Sequence, residues 1–467
     1  MSQNRQSLPG NVTVKRRRVR RETIALHSRR NFRVRPRPWM IPLVFAITIG
    51  LGTVLLSLPI ASESHEWTHG IDALFTATSA VSVTGLVRFD TAEHWSIFGE
   101  ITIIVLIQAG GLGITIYAGV LLMLFGNRFG LRDREFFGME LLDFSERDIY
   151  RLLRRIILFT FVIEFVTFLL LLPWYLNSNS VGAAIWKSIF HSISALNNAG
   201  FDLQGERLSF IGEVNNPYPI AVMGMAAFLG SLSFVTVFNM TRPRRSWSLD
   251  TKLVGLGMLS LLLVGMMVFL TLETSDGRVL DSQNVLNTLV NSLFLSINRT
   301  TGMSTIDFAL IEASTATILM LLMVIGGAST STASGIKIGT FMVTLVVMFS
   351  AIRGRHRSSV FGRDLPQAII VRAVAVTGFG LLTIGIGVFL IGLTEQGNFL
   401  ALLFEVTSAA ANVGWSQGIT VDLSHRSTIV LVGLMFLGRL GPLYIALSIP
   451  DKPRTRYRFP EAGVRIG

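Results

Sequence analysis

The chain has 467 residues, of which 50% are hydrophobic and only 15% are charged, and its mean hydropathy is +0.56. An average soluble domain carries roughly 25% charged residues, so this composition excludes an ordinary soluble enzyme. The sequence contains no cysteine, which excludes disulfides and thiolate metal or redox sites. Its seven histidines are scattered, and their spacing indicates no metal site.

Apolar runs of about twenty residues recur along the chain, and a run of this length crosses a bilayer as a helix. We predict eight spans, at residues 39–60, 96–125, 156–176, 217–240, 249–272, 315–351, 373–392 and 427–448. Between the two spans of each consecutive pair lies a half-apolar stretch that is too short and too polar to cross as a helix. The sequence therefore predicts an all-α polytopic membrane protein.

The net charge of +12 follows from where the basic residues lie. Of the 41 lysines and arginines, 33 lie in residues 1–38, 126–156, 241–252, 352–372 and 448–467, which are the two ends and every second loop. Cytoplasmic loops are rich in Lys and Arg, so we expect both ends to be cytoplasmic. The basic N-terminal segment favours attraction to anionic lipid headgroups over nucleic-acid binding. It is also too long for a cleaved signal peptide, so we expect the first span to remain.

The four stretches between paired spans share one pattern: a serine, five further residues, a glycine and an apolar residue. They are FTATSAVSVTGL, FHSISALNNAGF, SLFLSINRTTGM and FEVTSAAANVGW, with the pairs Ser79 and Gly85, Ser194 and Gly200, Ser296 and Gly302, and Ser408 and Gly414. We predict four pseudo-repeated helix, re-entrant pore loop, helix units around one central pore. They occupy residues 39–125, 126–240 with a preceding cytoplasmic linker, 241–351 and 352–448, between cytoplasmic segments at 1–38 and 449–467.

The four loops indicate one shared axis, because non-helical backbone at membrane depth is stable only where protein buries it or a water-filled pathway hydrates it. A glycine in each loop allows φ values that aim successive carbonyls inward, and a ring of carbonyl oxygens replaces the hydration shell of a monovalent alkali cation. The predicted coordinating residues are Val83, Thr84, Gly85, Asn198, Ala199, Gly200, Thr300, Thr301, Gly302, Asn412, Val413 and Gly414. The alternative is that these glycines only allow close helix packing, but packing glycines need not recur at one loop position four times.

Residues 326–335 read GGASTSTASG, an unbroken run of small residues inside the sixth predicted span. We expect the helix to break there, since Ser and Thr hydroxyls satisfy freed backbone groups inside a pore. The functional hypothesis is a gate below the filter, and we call this run the gate loop: Gly326, Gly327, Ala328, Ser329, Thr330, Ser331, Thr332, Ala333, Ser334 and Gly335. The alternative, a small-residue helix interface, places small residues at a spacing of four.

Charged residues at membrane depth are costly unless they face a pore, a partner or water. We assign Lys337 and Arg439 to the gate on this ground. Arg439 would set an electrostatic barrier or hold the gate loop by hydrogen bonds. Arg299 is expected to brace the back of the filter with its five donors.

Other polar features have structural interpretations. His191 and Glu405 lie on predicted re-entrant helices and are expected to be packing or mouth residues. The stretch QAGGLG at residues 108–113 lacks the strand of a dinucleotide fingerprint and indicates close helix packing. The sequence contains no Walker motif and no soluble stretch of about 100 residues, so nucleotide control must come from another subunit.

The four degenerate loops, with SAVSVTGL and NNAGF in the first two, resemble those of the Trk/Ktr/HKT superfamily of potassium transporters over nearly all of residues 40–450. The first span leads directly into the first loop, so the chain is more similar to the KtrB-type membrane subunits of bacterial Ktr systems than to the Trk branch. In that family a glycine at the filter position of all four units goes with potassium selectivity, and Gly85 is present. The third loop departs, with Thr301 and Met303 where the family often has Ala and Phe.

The resemblance implies a potassium-selective translocating subunit, not an enzyme, in the plasma membrane of a bacterium. It implies K+ held at filter backbone carbonyls, an intramembrane gate loop, no bound organic cofactor, and Na+ as a candidate activator or co-ion. It also implies a homodimer regulated by a cytoplasmic ring of KtrA-like nucleotide-binding subunits. The alternative is a secondary carrier for another cation or solute, which would be expected to use inverted repeats, whereas these repeats share one orientation.

Overall fold

The structure is a computed structural model, and it describes residues 40–125, 146–205, 210–275, 277–281, 283–355 and 357–448. The predicted cytoplasmic segments at residues 1–38 and 449–467, and most of the linker before the second unit, lie outside these ranges. Within them the regular secondary structure is helical, apart from a two-stranded antiparallel hairpin of β1 (Ser359–Val360) and β2 (Arg363–Asp364).

Four units follow one another, and each contains a long helix, a pore helix and a second helix. The first helices are α1 (Met40–Ser57), α5 (Glu146–Leu176), α9 (Leu249–Leu272) and α13 (Gln367–Gly392). The pore helices are α2 (Gly70–Ser82), α6 (Val181–Asn197), α10 (Val285–Asn298) and α14 (Phe399–Ala411). The second helices are α4 (Ile97–Phe125), the pair α7 (Pro217–Ser231) and α8 (Phe234–Met240), the pair α11 (Ala313–Val324) and α12 (Ile338–Ile352), and α15 (His425–Ser448). Short helices are α3 (Thr91–His94) and the 3-10 turns Pro59–Ala61, Ile211–Glu213, Arg244–Ser246 and Ile419–Val421.

This order of elements confirms the predicted all-α fold of four helix, pore loop, helix units. Among the described residues, four single helices are long and apolar enough to cross a membrane, namely α1, α9, α13 and residues Leu153–Leu176 of α5. The bent pair of α7 and α8 passes the same test as one span. In the second helices of the first and third units, the described apolar segments are shorter: Ile97–Leu112, Ala313–Val324 and Ile338–Ile352. The eight-span interpretation therefore rests on the repetition of the unit.

The pore helices begin at residues that suit a helix N-terminus. Ser180, Asn284 and Asn398 precede α6, α10 and α14, and the side chain of each accepts a hydrogen bond from a backbone N–H of the first turn. Such capping satisfies N–H groups that have no partner within the helix. These three pore helices therefore have defined starts of their own, whereas α2 begins after His69 without a side-chain cap.

Buried apolar side chains pack the units against one another around a closed circuit. One cluster joins Phe75 of the first unit to Leu431 of the fourth. A second cluster joins Val81 of the first unit to Phe201 of the second. The largest cluster contains residues of the second, third and fourth units, among them Trp415, which is 1% exposed. The fourth unit therefore packs on the first, as an arrangement around one axis requires.

The fourth predicted span bends sharply. Helix α7 ends at Ser231, and α8 begins at Phe234 at an angle of 97° to it. The Ser233 side chain starts α8 by accepting a hydrogen bond from the Thr236 N–H, at 3.1 Å. The sequence does not mark this bend, because residues 220–240 contain no proline and no charged residue.

The sixth span is interrupted at the run of small residues, between α11 and α12. Two backbone hydrogen bonds close the base of the gate loop. The Gly326 N–H donates to the Ile336 carbonyl at 2.9 Å, and the Ile336 N–H donates to the Val324 carbonyl at 3.0 Å. The loop therefore leaves and re-enters the span at nearly the same place.

The gate loop and the bent fourth span satisfy each other's backbone groups. The Ala328 N–H donates to the Ser231 carbonyl at 2.9 Å, and the Thr332 N–H donates to the Gly230 carbonyl at 3.2 Å. Carbonyls at the end of α7 would otherwise lack partners, because the helix stops there. The two breaks in regular structure therefore stabilise each other at membrane depth.

Three glycines let the second helices approach the ends of the pore helices. A Cβ built on each would overlap a backbone carbonyl oxygen of the neighbouring pore helix. These contacts, with the glycine named first, join Gly110 to Val81, Gly230 to Leu196 and Gly438 to Ala410. The interpretation of residues 108–113 as a close helix contact agrees with the position of Gly110.

We expect Gly438→Ala to lower the thermal stability of the protein. The added methyl group would lie 2.6 Å from the Asn412 Oδ1 and against the Ala410 carbonyl, and overpacking of this kind costs roughly 1–3 kcal/mol. Gly433→Ala on the same helix is the matched control, since nothing lies within 4 Å of a Cβ there. The measurement is the unfolding temperature of each purified variant in detergent. Equal temperatures would contradict the close-packing interpretation.

Candidate ion pathway

The pattern glycines of the four pore loops share one backbone conformation. Gly85, Gly200, Gly302 and Gly414 have φ angles of 90°, 76°, 82° and 100°. These values lie in the left-handed region, which residues with a Cβ rarely adopt. The repeated glycine is therefore a requirement of the loop backbone in every unit.

Each of these glycines also contacts the next unit, always in the same direction around the axis. A Cβ built on Gly85 would lie 2.6 Å from the Ala199 carbonyl oxygen, and one on Gly302 would lie 2.6 Å from the Val413 carbonyl oxygen. The corresponding contacts join Gly200 to the Thr301 carbonyl and Gly414 to the Thr84 carbonyl. We call these four glycines and four carbonyl residues the filter ring. The contact of the fourth unit with the first closes it.

Three of the pore helices end in the same way. Val83, Asn198 and Asn412 follow the last helical residue in the left-handed region, with φ angles of 58°, 58° and 53°. The next N–H in each unit donates to the carbonyl of the pattern serine, at 2.8 to 2.9 Å. This is a left-handed helix cap, and it turns the chain from the pore helix into the filter segment.

The third unit ends its pore helix differently. Arg299 follows the helix with a right-handed φ of −54°, and the Thr301 N–H donates to the Asn298 carbonyl at 2.8 Å. The Thr300 and Thr301 side chains are buried in the loop that follows. The four segments therefore share the glycine conformation, but not the turn before it.

The pattern serines divide into three roles. The Ser79 and Ser408 hydroxyls accept from the N–H groups of the ring glycines of their own units, at 3.1 and 3.0 Å. Ser194 donates to the Phe201 carbonyl at 2.6 Å, and Ser296 donates to the Leu262 carbonyl of α9 at 2.7 Å. Only the first and fourth units thus use the serine to hold the ring glycine directly.

Asparagine side chains in the filter join neighbouring units. The Asn198 Oδ1 accepts from the Thr301 hydroxyl at 2.6 Å, which connects the second unit to the third. The Asn412 Nδ2 donates to the Thr84 Oγ1 at 2.8 Å, which connects the fourth unit to the first. Both asparagine side chains are fully buried, so these contacts fix the filter segments relative to one another.

A cavity of about 220 Å³ lies against the filter ring. All four ring glycines lie at it, and so do three carboxylates, Asp90, Asp202 and Asp307. Carboxylates around a mouth concentrate cations near the entrance. The sequence analysis missed these residues, although Asp90 and Asp307 both lie five residues after a ring glycine, and this spacing was a signal.

Arg439 lies against the gate loop. Its guanidinium donates to the Thr332 carbonyl at 2.5 Å, to the Ser334 Oγ at 2.6 Å and to the Gly110 carbonyl of α4 at 2.9 Å. The side chain is nearly buried, with 6% exposed. One arginine therefore fastens the loop to two helices, α15 and α4.

The other two deep cations lie at the edges of the gate loop. The Lys337 ammonium donates to the Ala333 carbonyl within the loop. Arg299 donates to the Leu322 carbonyl at 3.3 Å and to the Ile325 carbonyl, where α11 ends. Arg299 therefore braces the root of the gate loop from the end of the third pore helix, behind the filter ring.

The structure gives His191 and Glu405 supporting positions. They follow Phe190 and Phe404 at equivalent places in the second and fourth units, and both are buried. The His191 Nε2 accepts from the Leu203 N–H at 3.1 Å, so its Nδ1 carries the proton and lies 2.8 Å from the Tyr175 hydroxyl. Glu405 accepts from the Thr420 hydroxyl. Both side chains hold the chain that leaves the filter ring.

Glu164 is a carboxylate at membrane depth that the sequence analysis did not single out. It is 5% exposed, and its Oε1 accepts from the Gln108 Nε2 at 2.9 Å and from the Asn197 Nδ2 at 3.3 Å. The signal was available, because Glu164 is the only charged residue in the third predicted span. The three side chains brace the end of the second pore helix.

Arg88 is a second residue that the sequence analysis missed. It lies three residues after Gly85, 3.0 Å from the Asp72 carboxylate of its own pore helix. It also donates to the Leu423 carbonyl at 3.3 Å and to the Thr428 hydroxyl, both in the fourth unit. Arg88 therefore ties the exit of the first loop to the neighbouring unit. No local pattern marks it in the sequence.

Comparison with known proteins assigns a class to this architecture of four pore loops, one ring and a loop beneath it. The family model TrkH, described as a cation transport protein, matches residues 44–246 and 237–453. The chain is a membrane-embedded cation transport protein. It belongs to the TrkH family, and the resemblance inferred from the loops is confirmed.

Two of the relatives have names that state which ions they take up. The chain is 34% identical to the Ktr system potassium uptake protein B of Bacillus subtilis, over 92% of this chain and 96% of the relative. It is 33% identical to the potassium/sodium uptake protein NtpJ of Enterococcus hirae, over 93% and 99%. The crystal structure of the potassium transporter TrkH from Vibrio parahaemolyticus matches the fold with a TM-score of 0.66 at 17% identity, over 90% of this chain and 86% of that one.

We expect Gly200→Ser to reduce discrimination among monovalent cations by about tenfold, because a side chain at a left-handed φ is strained and would contact the Thr301 carbonyl. Gly205→Ser is the matched control. Gly205 has a φ of 85°, but nothing lies within 4 Å of a Cβ there, so it tests strain without a clash in the ring. The measurement is the ratio of potassium to sodium uptake. An unchanged ratio in Gly200→Ser and in the other three ring variants would contradict the carbonyl-ring hypothesis.

Proposed function

We propose that the chain is the potassium-selective translocating subunit of a Ktr-type uptake system. The observation that carries this proposal is the filter ring. In it, four glycines with left-handed backbone conformations allow one backbone carbonyl from each unit to approach a common axis. Carbonyl oxygens are the ligands that replace the hydration shell of K+ in selective pores. The names of the relatives from Bacillus subtilis and Enterococcus hirae, which specify potassium uptake, support the choice of ion.

The predicted coordinating residues of the four segments serve as the ion site in this proposal. Their backbone carbonyls coordinate K+, while the Thr and Asn side chains hold the segments in position. The C-terminal ends of the pore helices add partial negative charge at the start of each segment. The three carboxylates of the cavity beside the filter ring concentrate cations near the ring.

The gate in this proposal is the gate loop, with Lys337 and Arg439. Two hydrogen bonds from Arg439 hold the loop, a third joins Arg439 to the Gly110 carbonyl of α4, and the loop also binds the end of α7. These contacts support a position in which the gate loop obstructs the pathway. The loop could leave this position without movement of the helices around it. Opening would require the loop to leave these partners while the filter ring stays in place.

We expect Arg439→Ala to raise potassium flux in the absence of any regulatory subunit. The change removes two hydrogen bonds to the seated loop and one to the Gly110 carbonyl of α4, and each is worth about 0.5–1.5 kcal/mol or more for a charged donor. Arg426→Ala on the same helix is the matched control, since Arg426 is exposed. The measurement is rubidium influx into proteoliposomes. Loss of flux in folded Arg439→Ala protein would contradict the gate hypothesis.

The proposal places the chain in the plasma membrane of a bacterium, with both termini cytoplasmic. The concentration of Lys and Arg at the two ends and in every second loop supports this orientation. The name of the Bacillus subtilis relative, a protein of a Ktr system, supports further subunits. We place a homodimer of this chain on a cytoplasmic ring of KtrA-like nucleotide-binding subunits, which docks on the basic loops.

Sodium enters the proposal as an activator or a co-ion. The Enterococcus hirae relative is named a potassium/sodium uptake protein, which supports a role for both ions. A carrier for another cation is the competing function, and the buried intramembrane Glu164 is the feature that favours it. Its two amide partners instead favour a structural role.

Expression in cells that lack their own potassium uptake systems tests the proposal. We expect growth at limiting potassium to be restored, and uptake of potassium to exceed uptake of sodium, because the filter ring matches the dehydrated K+ ion. The chain is expressed alone and with a KtrA-like subunit, with and without sodium. Absence of uptake in every condition, with the protein shown to be in the membrane, would favour the carrier.

A further inference from the structure

Asn198 and Asn412 occupy the same position in their units and make different contacts. Each follows a pore helix in the left-handed region, with φ angles of 58° and 53°. Both side chains are fully buried. Because backbone conformation and burial are the same, the difference in their partners is specific to the second unit.

The Asn198 amide connects the third filter segment to the gate loop. Its Oδ1 accepts from the Thr301 hydroxyl at 2.6 Å and from the Thr300 hydroxyl at 3.3 Å. Its Nδ2 donates to the Thr332 Oγ1 at 2.9 Å. One side chain therefore touches the filter on one side and the gate loop on the other.

The Thr332 hydroxyl fixes the orientation of this amide. The hydroxyl has one proton, and it lies 2.9 Å from the Gly230 carbonyl and 3.1 Å from the Leu196 carbonyl, which can only accept. Its lone pairs are therefore left to accept from the Asn198 Nδ2. The Asn198 Oδ1 must then face Thr301.

Asn412 has no such second contact. Its Nδ2 donates to the Thr84 Oγ1 at 2.8 Å and to the Met435 carbonyl of α15, also at 2.8 Å. In the described parts of the chain, Asn412 makes no hydrogen bond to the gate loop. The fourth unit thus contains the same clamp between filter segments without a link to the gate.

The third filter segment has the fewest supports of its own. Its pore helix lacks the left-handed cap of the other three, because the Arg299 backbone has a right-handed helical conformation. Its pattern serine, Ser296, is bonded to the Leu262 carbonyl of α9 rather than to the segment. The two threonine hydroxyls of this segment depend on Asn198 from the neighbouring unit.

We propose that Asn198 is a positioning residue that couples the filter ring to the gate loop, by holding the third segment through Thr301 while Thr332 lies beside it. When the loop withdraws, the Asn198 Nδ2 loses its 2.9 Å acceptor and keeps only the Leu196 carbonyl at 3.4 Å, so one buried N–H is left without a partner, which is costly. The amide orientation is then no longer fixed, and the third segment loosens. The coupling is reciprocal. A change that stabilises the hydrogen bond between Thr301 and Asn198 also stabilises the seated position of the gate loop, by the same factor. The inference rests on the proposed filter and gate.

The first experiment changes the filter and measures the loop. The chain contains no cysteine, so Ser329→Cys, at an exposed position of the gate loop, gives a single labelling site. Its modification rate by a membrane-impermeant thiol reagent, in the purified full-length protein with K+, reports how often the loop leaves its place. We expect Thr301→Val to raise this rate about threefold to tenfold, as loss of one hydrogen bond predicts. Thr301→Ser keeps the hydroxyl and should restore the original rate.

Thr84→Val is the matched control for this experiment. It removes the hydroxyl that Asn412 binds, and so disturbs the filter by a change of the same chemistry. Because Asn412 is not bonded to the gate loop, we expect the labelling rate to stay within about twofold of the original. Equal changes for Thr301→Val and Thr84→Val, or no change for either in folded protein, would overturn the inference.

The second experiment changes the loop and measures the filter. Thr332→Val should lower the ratio of potassium to sodium uptake about threefold or more, whereas Thr332→Ser should keep it. A gate without coupling would raise the maximal uptake rate and leave this ratio unchanged, and that result would overturn the inference. Thr332→Val also tests the coupling if the Thr301→Val protein does not fold. Failure of the proposed function is distinguishable, because the unmodified chain would then take up no potassium.

Discussion

The structure depends on one constraint: non-helical backbone at membrane depth needs a partner for every polar group, from the protein or from the pathway it lines. Four pore loops meet this constraint together, because the left-handed glycines of the filter ring let each loop contact the next unit. A Cβ on any of them would overlap or closely approach a carbonyl of its neighbour. The ring therefore closes only with glycine, and it leaves one carbonyl residue of each unit beside the axis.

The same constraint explains the gate loop. Two second helices stop within the membrane, α7 at Ser231 and α11 at Val324. The loop that follows α11 donates to the carbonyls at the end of α7, and Arg439 supplies donors to the carbonyl groups of the loop and of α4. Such a loop is stable without being helical. Each of its hydrogen bonds is worth about 0.5–1.5 kcal/mol, which supports the proposal that this loop is the part that moves.

Much of this architecture was predictable from the sequence, because apolar length, charge placement and a pattern repeated four times are local or periodic signals. The spans and the four units follow from them, the glycine of each loop follows from its repetition, and the family came from the resemblance of the loop sequences. The bend after Ser231, the links made by Arg88 and the different partners of Asn198 and Asn412 do not. These features depend on which residues of distant units meet, and the departure of the third loop sequence at Thr301 and Met303 did not indicate that its pore helix would end without a left-handed cap.

Direct location of the ion tests the central claim most sharply. The measurement is an anomalous difference map from crystals of the full-length protein grown with thallium or rubidium in place of potassium. The account predicts density on the axis among the Thr84, Ala199, Thr301 and Val413 carbonyls, and its loss when sodium replaces the heavier ion. Density at another place, such as beside Glu164, with none at the filter ring would contradict the account.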